Sequence, residues 1–445
     1  MEESNPARLN ALSAAEAIRE GRLTSEELVV ACLARIEECE EQIGAWEHLD
    51  REFALSQARE ADLARGEGKA LRPFHGVPVG IKDIIDTADF PTENGSVLHA
   101  GRRPTKDAAL VSLLKNAGAV IMGKTVTTEF AVYHPGKTKN PHDPNRTPGG
   151  SSSGSAASVA SHMVPVAVGS QTNGSVIRPA SFCGVCGFKP THGSISRYGM
   201  LPQSRPIDHV GLFARSVEDV AFLGDQLMVF DGRDPDMRHR AAPRLLETAA
   251  AEPPITPRFA FVKTPVWDQA DEDAQAAFEE LAIRLGEEIV EEVELPEPFN
   301  SAVEWHQIIL ESNLARNFET EYERGKDQLS DLLRLMMERG KKYLAVDYTR
   351  AVEKVPVLNR LLGEMFERYD ALLTPPAPGQ APLGLGATGN PVFCTIWTLC
   401  GTPAVTLPVL EGADGMPLGV QLVGPKGDDA RLLRTARWLE SRLGG

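Results

Sequence analysis

The chain has 445 residues, 42% of them hydrophobic and 24% charged, a balance that suits a globular protein with a large core. Its formal net charge of −16 repels nucleic acid and anionic lipid, so neither is an expected partner. No window approaches the eighteen apolar residues of a membrane span, and the opening MEESNPARLN has neither a basic nor an apolar leader segment. Six cysteines are too sparse for a disulfide framework, which leaves a cytoplasmic protein as the expectation.

Taken in chain order, residues 13–65 read as helical. Ser13, with Glu16 three positions on, resembles an N-cap, and Thr24 or Ser25 opens the next stretch, EELVVACLARIEECEEQI. Leu28, Val29, Cys32, Leu33 and Ile36 of that stretch fall on one face. In PFHGVPVGIKDII, Val77, Val79 and Ile81 alternate to one side of a short strand, and Pro78, Gly80 and Lys82 to the other. DAALVSLLKNAG is a helix that stops at Gly118; AVIM and MVPVAVGS are strands. AFLGDQLMVFDGRDP ends a helix in a turn, residues 233–256 are loop-like, and residues 268–345 are strongly helical and charged. ALLTPPAP and GVQLVGP read as strands, and DDARLLRTARWLESRL as a closing helix opened by acidic residues. The mixture, without repeats or a clean linker, points to α/β architecture in one large unit.

Several motifs invite chemical readings. Gly118-AVIM-Gly123-Lys124-Thr125 matches the P-loop letters. A P-loop needs a pliable loop between its glycines, and here the four spacer residues form the strand itself. Gly150-Ser151-Ser152-Ser153-Gly154 matches GxSxG, but a nucleophile elbow follows a strand, and this one follows a polar, proline-bearing loop. That α/β-hydrolase esterase reading would need a histidine, from among His162, His192, His209, His239 and His306, and an acid. Cys183-Gly-Val-Cys186 lacks a second ligand pair, so two buried thiols are expected and no metal.

Lys82 ends a strand on a face otherwise lined by proline and glycine, where small neighbours leave room for a buried amine. Two serine-glycine turns follow downstream. The pieces HGVPVGIKD, PGGSSSGSAA and GSQTNGSVIRPASFCGVCGFKPTHG resemble the amidase signature family. So do GAVIMGKTVTTEFA, DHVGLFARSVEDVA and GVQLVGPKGDDARLL, and together they cover essentially the whole chain. The resemblance implies a large mixed, mostly parallel twisted sheet covered by helices on both faces. It also implies one amidase domain over residues 1–445: N-terminal helices to 65, a catalytic core over 66–232, a variable helical region over 268–345 lining the pocket, and the rest of the core from 346.

The family's Ser–cis-Ser–Lys triad falls on Ser175, Ser151 and Lys82, with the bond from Gly150 to Ser151 cis. Ser175 would be the nucleophile, Ser151 the relay and neutral Lys82 the base. A free lysine has a pKa near 10.4, so burial must lower it. Backbone N–H groups of Thr172, Asn173, Gly174 and Ser175 would form the oxyanion hole. Ser152 and Ser153 would bond within the loop or beside the relay, and Arg178 would anchor structure. The implied activity is hydrolysis of a small amide, ester or carbamate (urethane) through an acyl-enzyme, at C–N bonds other than peptide bonds, with no cofactor, in a monomer or homodimer. Phe393, Ile396 and Trp397 are candidate walls of an apolar pocket for aryl or alkyl groups, or else ordinary core. The second turn departs from the family's G-[ST]-D-x-G-G-S, with Gln171 in place of the acid and Asn173 in place of a glycine. That departure argues against an amidotransferase subunit for tRNA. A non-catalytic binding protein on the same fold remains the other alternative.

Overall fold

The structure is a computed structural model that describes residues 5–443; the first four residues of the acidic opening lie outside it. Eleven strands form one sheet: β1 (Trp46–Leu49), β2 (Pro78–Lys82), β3 (Val120–Thr125), β4 (Val166–Gln171), β5 (Cys186–Lys189), β6 (His209–Ala214), β7 (Phe259–Phe261), β8 (Val290–Glu292), β9 (Ala371–Thr374), β10 (Ala404–Glu411) and β11 (Pro417–Val423). Their order across the sheet is β1-β3-β2-β4-β6-β5-β10-β11-β9-β7-β8.

The alternation expected around Lys82 holds. Val79, Ile81, Val166, Val168 and Leu212 enter one core with helices Ala109–Asn116, Val217–Leu227 and Asp429–Leu443. Met122, Ala167 and Phe213 face the opposite side, with helices Ser25–Ile43 and Ser153–Ala160. A third cluster on helices Ala302–Asn317, Asp331–Gly340 and Val392–Cys400 continues the cover past β9. The sheet is therefore mixed and covered on both faces. The parallel share is smaller than expected, because six of its ten pairings are antiparallel. β10 and β11 form a hairpin, and β6 pairs antiparallel with both β4 and β5.

Local departures have local causes. Thr24 caps helix Ser25–Ile43 in a reciprocal capping box with Glu27, but Ser13 lies inside helix Ala11–Arg19, whose N-cap position is Asn10. Gly44, left-handed at φ 64°, stops the second helix and lets the chain enter β1, a strand inside the stretch read as helical. Likewise, residues 233–256 contain the short helix Leu245–Ala250, and residues 268–345 contain β8.

Candidate active site

Lys82 ends β2 in the middle of the sheet with its side chain fully buried. Its Nζ lies 2.7 Å from Ser151 Oγ, 3.0 Å from Ser152 Oγ and 2.9 Å from Ser170 Oγ. Desolvation holds the Lys82 pKa well below the ordinary lysine value, against a weaker opposing pull from Asp208. Ser170 is not singled out by sequence; it is the penultimate residue of β4, the parallel neighbour of β2. Ser152 accepts from the Ser170 N–H at 3.2 Å and donates to the Ser170 carbonyl at 3.1 Å. This close approach needs Gly169, where a Cβ would stand 2.6 Å from Ser152 Oγ. Gly154 is required in the same way, since a Cβ there would sit 2.2 Å from the Ala45 carbonyl oxygen.

The bond from Gly150 to Ser151 is cis. Arg178, fully buried, donates to the Gly150 carbonyl at 2.7 Å and to the Thr388 and Gly389 carbonyls, which joins two loops to helix Ile177–Cys183. That is the anchoring task expected of it. Ser175 closes the turn after β4 and is 7% exposed. Among the described residues its hydroxyl bonds to no protein group, Ser151 included, and the N–H groups of Thr172 to Ser175 donate to no protein acceptor.

The turn is held from outside. Gln171 Oε1 accepts from the N–H groups of Val176 and Ile177 at 2.8 and 3.0 Å, and its Nε2 donates to Thr398 Oγ1 at 2.9 Å. A neutral amide thus caps the start of the next helix, a task for which an acid's acceptor oxygen suffices. Asn173 donates to Tyr133 Oη at 2.9 Å, and it accepts from Thr395 at its side chain (2.7 Å) and from Thr398 at its carbonyl (2.5 Å). His306 Nε2 donates to the Thr172 carbonyl at 2.8 Å, and burial lowers its pKa to about 4, so it stays a neutral donor. Gln171 and Asn173 stand at positions of the family's turn pattern, whereas Tyr133, Thr395, Thr398 and His306 carry no sequence pattern of their own.

A cavity of about 840 Å³ opens onto Asn173. Its walls include Tyr133, Leu310, Met336, Val392 and Thr395. Glu311, only 1% exposed at its side chain, accepts from Arg339 Nε at 3.1 Å and Tyr343 Oη at 3.3 Å on one wall. Helices Ala302–Asn317 and Asp331–Gly340 supply much of the lining, whereas Glu272–Leu285, from the same charged stretch, packs Phe278 and Leu281 into the sheet core. Phe393, Ile396 and Trp397 do not face the cavity. They are 1%, 1% and 0% exposed and belong to the core. Helix Val392–Cys400 is apolar nearly all round, so its composition does not mark which face is free; Val392 and Thr395 hold that place.

The other motifs take structural places. Lys124 lies in β3 and donates to the Ile85 carbonyl at 2.8 Å and Thr92 Oγ1 at 2.6 Å. Cys183 and Cys186 are buried thiols with raised pKa values. Among the described residues, Glu47, His48 and Glu93 alone bring three potential metal-ligand atoms together, and there His48 already bonds Glu93 at 2.9 Å. No described helix is long and apolar enough to cross a membrane.

The sequence pattern of the Amidase family matches residues 27–433. A glutamyl-tRNA(Gln) amidotransferase subunit from Chloroflexus aggregans is 36% identical over 96% of this chain and 94% of its own. Among solved structures, 6-aminohexanoate cyclic dimer hydrolase superposes with a TM-score of 0.87 at 29% identity, over 99% of this chain and 98% of that one. Peptide amidase from Stenotrophomonas maltophilia does so at 0.85 and 28%, with the same coverage.

Proposed function

This chain belongs to the amidase family, and from that premise we propose that it hydrolyses a small carboxamide through an acyl-enzyme on Ser175, with the chain acting as one catalytic unit. The observation that carries the reading is the fully buried Lys82 amine 2.7 Å from Ser151 Oγ.

The hydrogen bonds around Lys82 allow the proton a path from Ser151 to the amine. A neutral amine has two N–H groups and one lone pair. The Ser152 hydrogen is committed to the Ser170 carbonyl, so Ser152 is an acceptor toward the amine. With the N–H groups on Ser152 and Ser170, the lone pair faces Ser151. Ser151 gives its proton to Lys82 and takes the Ser175 proton as Ser175 Oγ bonds to the carbonyl carbon. The oxyanion is met by free N–H groups of the 172–175 turn, each such donor worth about 3 kcal/mol in serine hydrolases. Collapse breaks the C–N bond, and the amine leaves with the proton returned through Ser151. Water then attacks the ester, and Ser175 recovers its proton. Catalytic hydrogen bonds commonly tighten only once substrate is bound, which fits the free Ser175 hydroxyl.

Leu310, Met336 and Val392 support acceptance of alkyl or aryl groups in the cavity, and the same chemistry serves esters and carbamates. The curated relatives favour a second reading, in which the chain is an amidotransferase subunit that passes the amide nitrogen to an acceptor with partner chains. Gln171 at the family's acidic position speaks for the hydrolase. The test uses the isolated chain with simple amides, glutamine among them, and no acceptor or partner. Steady release of amine or ammonia, with a fluorophosphonate adduct on Ser175 alone, is the expected result. An adduct on Ser152 would replace the proposed nucleophile, and turnover only with partner chains would favour the amidotransferase.

A further inference from the structure

Away from the active site, a cleft of about 670 Å³ lies between the loop carrying Thr191 and Gly193, the segment around Arg238 and Arg240, Lys426 and Gly427, and helix Ala345–Phe366. Its charge is opposite to that of the chain as a whole, which is −16. Arg238, Arg240 and Lys426 all line it, and among the described residues none of the three takes part in an ion pair. The one carboxylate in the lining, Asp236, is neutralised from outside. Arg205 grips both its oxygens at 2.8 Å, and Arg197 bonds it at 2.6 Å. Asp429 lies buried beneath, held by the N–H and hydroxyl of Thr191 at 2.7 Å each. His192 adds no charge, since burial and the neighbouring Arg197 lower its pKa to about 4.

Three cations held together in a concave wall repel one another and raise the local potential, which a bound anion relieves. Arg240 spends one Nη2 bond on Ser194 at 2.6 Å, and Lys426 spends one on the Cys400 carbonyl at 3.1 Å; the remaining guanidinium and ammonium donors are available. Planar guanidinium forks match phosphate oxygens in pairs. The opposite wall is different in kind: Val355 and Pro356 are apolar and Asn359 is polar but uncharged. The volume is that of a small-molecule site.

We propose that this cleft is a second binding site, for a small phosphate-bearing organic anion whose phosphates lie on Arg238, Arg240 and Lys426 and whose uncharged part lies on helix Ala345–Phe366.

The test is calorimetric titration of the full chain with pyrophosphate at low ionic strength, where surface charge is least screened. The expected result is one pyrophosphate per chain, unaffected by Ser175→Ala, with a ligand-dependent rise in melting temperature. Arg238→Ala/Arg240→Ala should weaken binding by roughly tenfold or more while the ligand-free protein melts as the wild type does, and Arg284→Ala, on a distant helix, should bind normally. Three results would overturn the proposal: no saturable binding of pyrophosphate, undiminished binding by the double variant, or citrate binding as tightly as pyrophosphate, which would mark a general anion patch.

Discussion

The surroundings of Lys82 and the walls of the 840 Å³ cavity are built on opposite plans. Around Lys82 nearly every group is small, polar and fixed by a short-range bond: three hydroxyls on one amine, a glycine beneath Ser152, an arginine on the Gly150 carbonyl. The cavity walls come partly from loops and partly from helices whose buried faces are chosen by packing, and only one face of each such helix meets the cavity. In the proposed reaction, bond-making is thereby confined to the densely bonded region, while fit to a substrate resides in walls set by packing.

That contrast can be broken at its rigid side first. Lys82→Ala should lower amide kcat/KM by roughly 10³–10⁴-fold and affect a nitrophenyl ester less, because a good leaving group departs without the returned proton. Ser151→Ala should fall between Lys82→Ala and the wild type, with water a poorer relay. The wild-type amide rate should rise with pH through the depressed Lys82 pKa. The protonated amine dominates below that pKa and cannot accept a proton, and the neutral base is fully formed above it. A Lys82→Ala variant that keeps the wild-type amide rate and pH profile would remove Lys82 from the reaction.

The cavity side sharpens the contrast. Phe393→Ala deletes a core ring and should cost about 3–5 kcal/mol of stability by denaturant titration, with KM nearly unchanged in the protein that remains folded. Gln171→Ala strips the N–H groups of Val176 and Ile177 of their acceptor. It should cost about 1–3 kcal/mol and lower kcat more than KM rises, since it loosens the oxyanion turn without touching the cavity. Val392→Ala, one residue from Phe393, should leave stability within about 1–2 kcal/mol and change KM several-fold for alkyl and aryl amides, the smallest of these effects.

The same division explains what the sequence reveals. Lys82, Ser151 and Ser175 stand out because the segments around them resemble the amidase family's signature, whose glycines and serines let the loops approach. Ser170 is hidden because a single serine in a strand carries no pattern, and its meaning depends on β4 lying beside β2. The wall positions are hidden for another reason. Helix Val392–Cys400 is apolar nearly throughout, so Phe393 and Val392 look alike until the third dimension separates them. Short strands such as β5 and β7 carry too few residues for their period to be read, and one partner of each, β10 and β9, lies far along the chain.

β10 and β11, the last strands made, sit between β5 and β9 in the interior of the sheet. During synthesis β5, once paired with β6, therefore waits for its second partner, which follows about 215 residues later, roughly 10–45 s at cellular elongation rates. Until then β5 and β9 present open edges, the feature most prone to pair with a second chain. Thr395 and Thr398, which hold Asn173 in place, also belong to this late portion. A nascent chain lacking its final fifth therefore has the lysine and both serines yet lacks the two threonines that hold Asn173. Closing the sheet and completing the bonds to Asn173 thus fall to the same late segment, which couples the cover of two open edges to the finish of the turn.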